Sequence, residues 1–132
     1  MLQVNKTLAN FHLESRGNLF AIDYSVLKFQ PVRSFVVSKV PQNIIRGEHA
    51  HFVCQQHLFV VFGVITMYFS DGKEKQEEVL KTGDSVLMPN LTWGSQRFIT
   101  RDAILLVLCD QPYDKNDYIT DYNEFLKIVN TK

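Results

Sequence analysis

A chain of 132 residues with 45% hydrophobic side chains, among them ten Phe and five Tyr, can bury a core of its own, which excludes a mainly disordered polymer. Lys and Arg together number 14, as do Asp and Glu, so no overall charge draws the chain to nucleic acid or an anionic membrane. No apolar run approaches the ~20 residues that span a bilayer, and Met1 to Lys6 lacks the apolar stretch of a secretory leader. The expectation is one unit over residues 1–132, free of nucleic-acid and membrane partners.

Residues 1–15 carry scattered hydrophobics that suit an N-terminal strand or arm. Arg16-Gly17-Asn18 is a turn signal, and Leu19 to Ile22 a short apolar strand. Beyond Pro31, Ser34 to Val40 is rich in β-branched and aromatic residues. Gln42 to Gly47 reads as a loop. From His51 to Ser70 the chain is almost continuous strand material, with Phe52-Val53-Cys54 included and Gly63 marking a turn or bulge. Asp71-Gly72 predicts a hairpin onto Glu77 to Leu80. Lys81 to Asp84 is the next turn, Ser85 to Met88 the next strand, and Pro89-Asn90 ends it. Phe98-Ile99 and Ala103 to Cys109 supply further strands, the latter apolar on both faces as a central strand would be. Between Asp114 and Lys127 the apolar residues Tyr118, Ile119, Tyr122, Phe125 and Leu126 fall at helical spacing, so short helical turns packed on a sheet are expected. Many short strands with a turn about every ten residues predict an all-β sandwich or barrel, with the jelly roll among the options.

Chemistry concentrates in Arg46-Gly47-Glu48-His49-Ala50-His51. On an extended backbone residues i and i+2 share a face, so His49 and His51 point together, with Arg46 on the loop before them. Metal binding, proton transfer and anion recognition all suit such a group. The paired motif of metal-binding cupins is present only in part. His49-x-His51 and the Gly83-x5-Pro89 spacing are there, but Gln55 and Gln56 stand where a Glu ligand would, and Trp93-Gly94 where a third His would. A catalytic metal ordinarily takes three protein ligands. Imidazole titrates near neutrality and can serve as base or acid without large tuning, and a guanidinium suits a phosphate or an oxyanion. Cys54 and Cys109 lie in apolar runs and read as buried reduced thiols, not nucleophiles.

The Arg46 to His51 stretch resembles the Arg-Gly-x-His-Ala-His signature of the nucleotide-linked sugar 3,4-ketoisomerases, small cupins that act on dTDP-4-oxo-6-deoxyglucose. Glu14-Ser15-Arg16-Gly17-Asn18-Leu19, the Ser70 to Lys73 hairpin, Gly83 to Trp93, and the tail from Leu105 through Asp117-Tyr118-Ile119 to Leu126 follow the family in order. Three places differ from its usual pattern: Ser34 to Val37 has no tyrosine, Gly94 follows Trp93, and Phe52-Val53 replaces basic residues after the second His.

The resemblance implies a cupin-type jelly roll with a short C-terminal helical segment, forming a homodimer that exchanges N-terminal strands. It implies movement of a ketone from C4 to C3 of a dTDP-linked 4-oxo-6-deoxyhexose through an enediol, without metal or other cofactor, for deoxyamino-sugar and surface-polysaccharide synthesis in the cytoplasm. His49 and His51 would be the acid–base pair, with His51 the first choice as base. Arg46, Arg16, Arg97 and Trp93, the last on a pocket-edge loop after Pro89 to Thr92, would bind the substrate. Arg33 and Arg101 read as surface residues, and Tyr118 and Tyr122 as packing. A cupin that binds a nucleotide sugar without acting on it, or a divergent sugar-nucleotide epimerase, are the alternatives.

Overall fold

The computed structural model describes residues 2–5 and 9–131, with the side chains of Phe11 and Leu13 left aside. The expectation of an N-terminal strand therefore lies partly outside the described residues, at Met1 and at 6–8. What is described begins with β1 (Val4–Asn5) and the hairpin β2 (Ala9–Glu14) and β3 (Gly17–Ile22). Then follow β4 (Arg33–Val37), β5 (Ile45–His51), β6 (Gln56–Phe62), β7 (Val64–Ser70), β8 (Lys75–Lys81), β9 (Ser85–Met88), β10 (Trp93–Phe98), β11 (Ile104–Cys109), β12 (Tyr118–Ile119) and helix α1 (Tyr122–Asn130).

Two five-stranded sheets face each other, ordered β1-β9-β6-β11-β4 and β12-β5-β10-β7-β8, and every pairing is antiparallel. This is the jelly-roll sandwich the strand spacing predicts. Alternation puts Leu58, Val60, Leu105 and Val107 of the first sheet against Ile65, Met67, Phe69 and Phe98 of the second, and these form the main core. β11 lies between β6 and β4, which accounts for its unbroken apolar run. A second, smaller cluster sits on the outer face of the second sheet. There α1 lays Phe125 over Ala50 and Ile119, with Trp93 and Tyr122 packed at its margin. Asp121 caps that helix by accepting from the amides of Asn123 (2.8 Å) and Glu124 (3.2 Å). Among the described residues no helix is long and apolar enough to cross a membrane.

Three local expectations change. Ile45 to Gly47 belong to β5 and not to a loop. Phe52-Val53-Cys54 is a turn, because Asp117 takes the amides of Val53 (2.8 Å) and Cys54 (3.1 Å) that a strand would give to a neighbour. Tyr118 and Ile119 fall in a strand paired with His51 and Ala50, between a single 3-10 turn at Lys115–Asp117 and the α-helix that begins at Tyr122. Among the described residues, the β2–β3 hairpin pairs as a strand with neither large sheet.

Gly63, at the turn between β6 and β7, has φ +90°, and a Cβ there would lie 2.9 Å from the Ala103 backbone. Gly63→Ala combines left-handed strain with a backbone clash, and it is expected to destabilise the fold by roughly 1–3 kcal/mol. Urea unfolding should show a lower midpoint at unchanged slope.

Candidate active site

The site begins with a fault in a strand. β5 pairs with β10 so that His49 faces Gly94, but Gly47 faces Ser95 and Arg46 faces Gln96, which leaves Glu48 as an extra residue. Gly47 (φ +91°) and Glu48 (φ +60°) both take positive φ to make this bulge. Its effect is one of parity. In a plain strand Arg46 and His49, three apart, would point to opposite faces. With the bulge both line one interior cavity, together with Phe35, Leu58, Met88, Gln96 and Val107. Arg46 remains solvent-exposed, so it stands at the cavity rim.

His49 and His51 share the inward face as their spacing predicts, with ring centroids 4.9 Å apart and planes at 82°. His51 is 2% exposed. Its Nδ1 lies 3.2 Å from Asp117 Oδ2, and its buried Nε2 has no protein partner. Burial and the neighbouring His49 push its pKa down to about 4, against the pull of Asp117. His49 is also lowered by burial, with the Gly47 carbonyl acting in the opposite sense by accepting from its ring. Near neutrality both rings are therefore uncharged. His51 keeps its single proton on Nδ1, toward the carboxylate, and presents a lone pair at Nε2.

A ring of residues closes this end of the barrel. Tyr118 packs against His51 and His49 at 4.4 and 5.0 Å between centroids, and against Tyr113 at 5.9 Å. Arg33, read from sequence as a surface residue, is half-buried and turned inward, since it shares the face of Phe35 and Val37 on β4. Its guanidinium donates to Cys109 Sγ (3.4 Å) and lies over the rings of Phe35 and Tyr113. Burial opposes its charge, but the Tyr118 hydroxyl and the Cys109 sulfur beside it outweigh burial and raise its pKa. Both cysteines are free and buried. Alternation along Arg33-x-Phe35-x-Val37 is a signal that could have turned Arg33 inward. Asp117 and Tyr118 carry no such local signal, because only the return of the chain to β5 brings them to the histidines.

The other expected residues are not gathered here. Trp93 begins β10 instead of lying on a loop, and alternation sends it outward while Gly94 faces in. It packs on Tyr122 (5.2 Å) and Phe125 (5.7 Å) beneath α1. Arg97 shares that outward parity and donates to the Asn43 carbonyl at 3.0 Å. Arg16 sits at the β2–β3 turn, 87% exposed, with Glu14 at 3.6 Å.

Residues 4–130 match the model of the family described as FdtA: WxcM-like, C-terminal. The chain belongs to that family. It is 28% identical over 119 residues to the TDP-4-oxo-6-deoxy-alpha-D-glucose-3,4-oxoisomerase of Aneurinibacillus thermoaerophilus, a span that is 89% of this chain and 86% of that one. A 3,4-ketoisomerase from Helicobacter canadensis superposes with a TM-score of 0.84 at 27% identity, over 98% of this chain and 97% of that one. The TDP-fucose-3,4-ketoisomerase WlaRA of Campylobacter jejuni gives a TM-score of 0.84 at 25% identity, over 98% and 96%.

The buried imidazoles make stability depend on pH. His51 and His57 are each held to about 4, mainly by burial, below the ~6.5 of a free imidazole. Between those values the unfolded chain binds protons that the fold excludes. Stability present near pH 7 should therefore fall as pH drops from ~6.5 toward ~4. His57 lies outside the pair, bonded to Ser85 Oγ at 3.2 Å, so His57→Gln should reduce that slope. A urea series across this window checks it, and an unchanged slope would contradict the assignment.

Proposed function

We propose that residues 1–132 form a single catalytic unit that isomerises a dTDP-linked 4-oxo-6-deoxyhexose, moving the ketone from C4 to C3. Family membership and the named activities of its relatives support this reading. The observation that carries it is the state of His51, whose Nδ1 is held by a fixed carboxylate while its Nε2 is buried, unpartnered and neutral. A proton α to a ketone is the kind of weak carbon acid that such a base can take.

In the forward direction His51 Nε2 removes the proton from C3 while the carbonyl oxygen at C4 gains one, giving an enediol. The imidazolium formed on His51 faces Asp117 at 3.2 Å, which stabilises it without taking its proton. His51 then returns a proton to C4 as the C3 hydroxyl gives up its own, and the ketone now stands at C3. Asp117 is a positioning residue in this scheme. Arg46, at the cavity rim, suits the diphosphate.

The reaction as drawn needs no metal. His51, Cys54 and Asp117 do offer ligand atoms within 4.8 Å of one another. The Asp117 carboxylate, however, already accepts from Val53 N, Cys54 N and His51 Nδ1. Gln56, at the place of an expected Glu, turns its amide to Cys109 Sγ at 3.7 Å.

We further propose a homodimer with exchanged N-terminal strands. A two-stranded hairpin alone is marginal in water, and among the described residues β2–β3 pairs with neither large sheet of its own chain. A second copy would give it one, and could carry Arg16 toward the partner's diphosphate. Trp93 and Arg97 keep a part in binding only through the outer face. The product would feed deoxyamino-sugar and surface-polysaccharide synthesis in the cytoplasm.

Incubation with dTDP-4-oxo-6-deoxyglucose in deuterated water, followed by NMR, should show a 3-oxo product. Deuterium should appear at C4 to the extent that the proton on His51 exchanges with solvent. His51→Asn should lower turnover by about 10²–10⁴-fold while still binding dTDP. Binding without any reaction by the wild type would make the protein a nucleotide-sugar binder instead. Sedimentation should give twice the chain mass, and a deletion of residues 1–22 should return it to the monomer.

A further inference from the structure

Moving a ketone between neighbouring carbons requires two kinds of proton transfer. One proton passes from C3 to C4, and another from the C3 oxygen to the C4 oxygen. His51 accounts for the first. The second needs a group that can donate a proton to an oxygen and then take one back. Neither imidazole is set up to begin that step. A neutral imidazole has one N–H; that of His51 is directed at Asp117, and that of His49 at the Gly47 carbonyl. Both rings therefore offer lone pairs to the interior. The pair amounts to two bases without an acid.

Resting on the isomerase reading above, we propose that Tyr118 is the acid–base group for the substrate oxygens. Its phenol protonates the C4 oxygen as His51 removes the C3 proton, and the phenolate recovers a proton from the C3 hydroxyl as His51 delivers one to C4. The phenol gives a proton and recovers one, and His51 takes a proton and gives one back, so Tyr118 and His51 end as they began while the substrate's protons have passed from C3 to C4 and from the C3 oxygen to the C4 oxygen.

The placement of Tyr118 supports this role. It stands opposite His51 in the β12–β5 pairing, and its ring contacts both histidines. The hydroxyl reaches across the barrel to the Arg33 guanidinium, on the inward face of β4 that also carries Phe35 and Val37 of the cavity wall. A fixed cation facing that oxygen suits the negative charge it must carry in mid-reaction. Among the described residues, the titratable rings of His49 and His51 from β5 and of Tyr113 from the tail pack against the Tyr118 ring, and Arg33 from β4 lies beside its hydroxyl; Cys109 from β11 and Asp117 stand one contact further, on Arg33 and His51. Packing alone would not require a hydroxyl at this place, whereas the reaction does.

The test compares wild type, Tyr118→Phe, and protein carrying a fluorinated tyrosine at position 118, which keeps the packing and makes the phenol more acidic. With dTDP-4-oxo-6-deoxyglucose, Tyr118→Phe should bind dTDP normally and turn over about 10²–10⁴-fold more slowly. In the wild type, kcat should fall on the alkaline side, and the fluorinated form should move that limb to lower pH. A purely structural role would leave the limb in place. If Tyr118→Phe does not fold, the fluorinated protein decides alone. Turnover of Tyr118→Phe within a few-fold of wild type, or an unmoved alkaline limb, would overturn the proposal. An inactive wild type would instead overturn the isomerase reading, and this proposal with it.

Discussion

The carboxylate of Asp117 is the constraint on which the site depends. It accepts from the amides of Val53 and Cys54 and from Nδ1 of His51, and so ties the C-terminal tail to the end of β5 and the turn that follows it. The two amides fix the turn after β5, and that turn fixes where β5 ends. The third bond sets the tautomer of His51 and leaves its other nitrogen free. A carboxylate held by two backbone donors cannot easily swing away, so the imidazole inherits its rigidity. The neighbouring residue Tyr118 extends the same segment into the barrel.

Burial then gives the histidines their chemistry. His51 would be a mixture of charged and uncharged forms near neutral pH if it were in water. In the barrel, desolvation and His49 outweigh the pull of Asp117 and keep it neutral. A neutral imidazole with its proton turned to a carboxylate is a base held ready at a fixed place. The cost falls on stability at acid pH, where the fold excludes protons that the unfolded chain would bind. The bulge at Gly47-Glu48 is a second local irregularity used by the site, since it turns Arg46 to the face of the histidines.

Much of this was legible in the sequence because it depends on near neighbours. The spacing of His49 and His51 gave their common face, Asp71-Gly72 the hairpin, and Ser85 to Met88 a strand with the bounds observed. The bulge was not legible. Gly47 allows positive φ, but nothing local says that Glu48 adopts it too. Trp93 reads as a pocket-edge residue because Pro89 to Thr92 reads as a loop, yet β10 begins at Trp93 itself and its parity faces outward. From sequence Arg33 reads as a surface residue and Tyr118 as packing, while Asp117 stands only as part of the tail that follows the family. Their role is set by contacts with partners tens of residues away, which composition and periodicity do not encode.

The account rests on the protonation state of one ring, and nitrogen-15 NMR of histidine-labelled protein reads that state directly. At neutral pH His51 should show a protonated Nδ1 and an unprotonated Nε2, and should stay so down to about pH 4. Asp117→Asn should disturb that signal first. An imidazolium at neutral pH, or a proton on Nε2 with Nδ1 bare, would contradict the claim that His51 stands in the barrel as a neutral base oriented by Asp117.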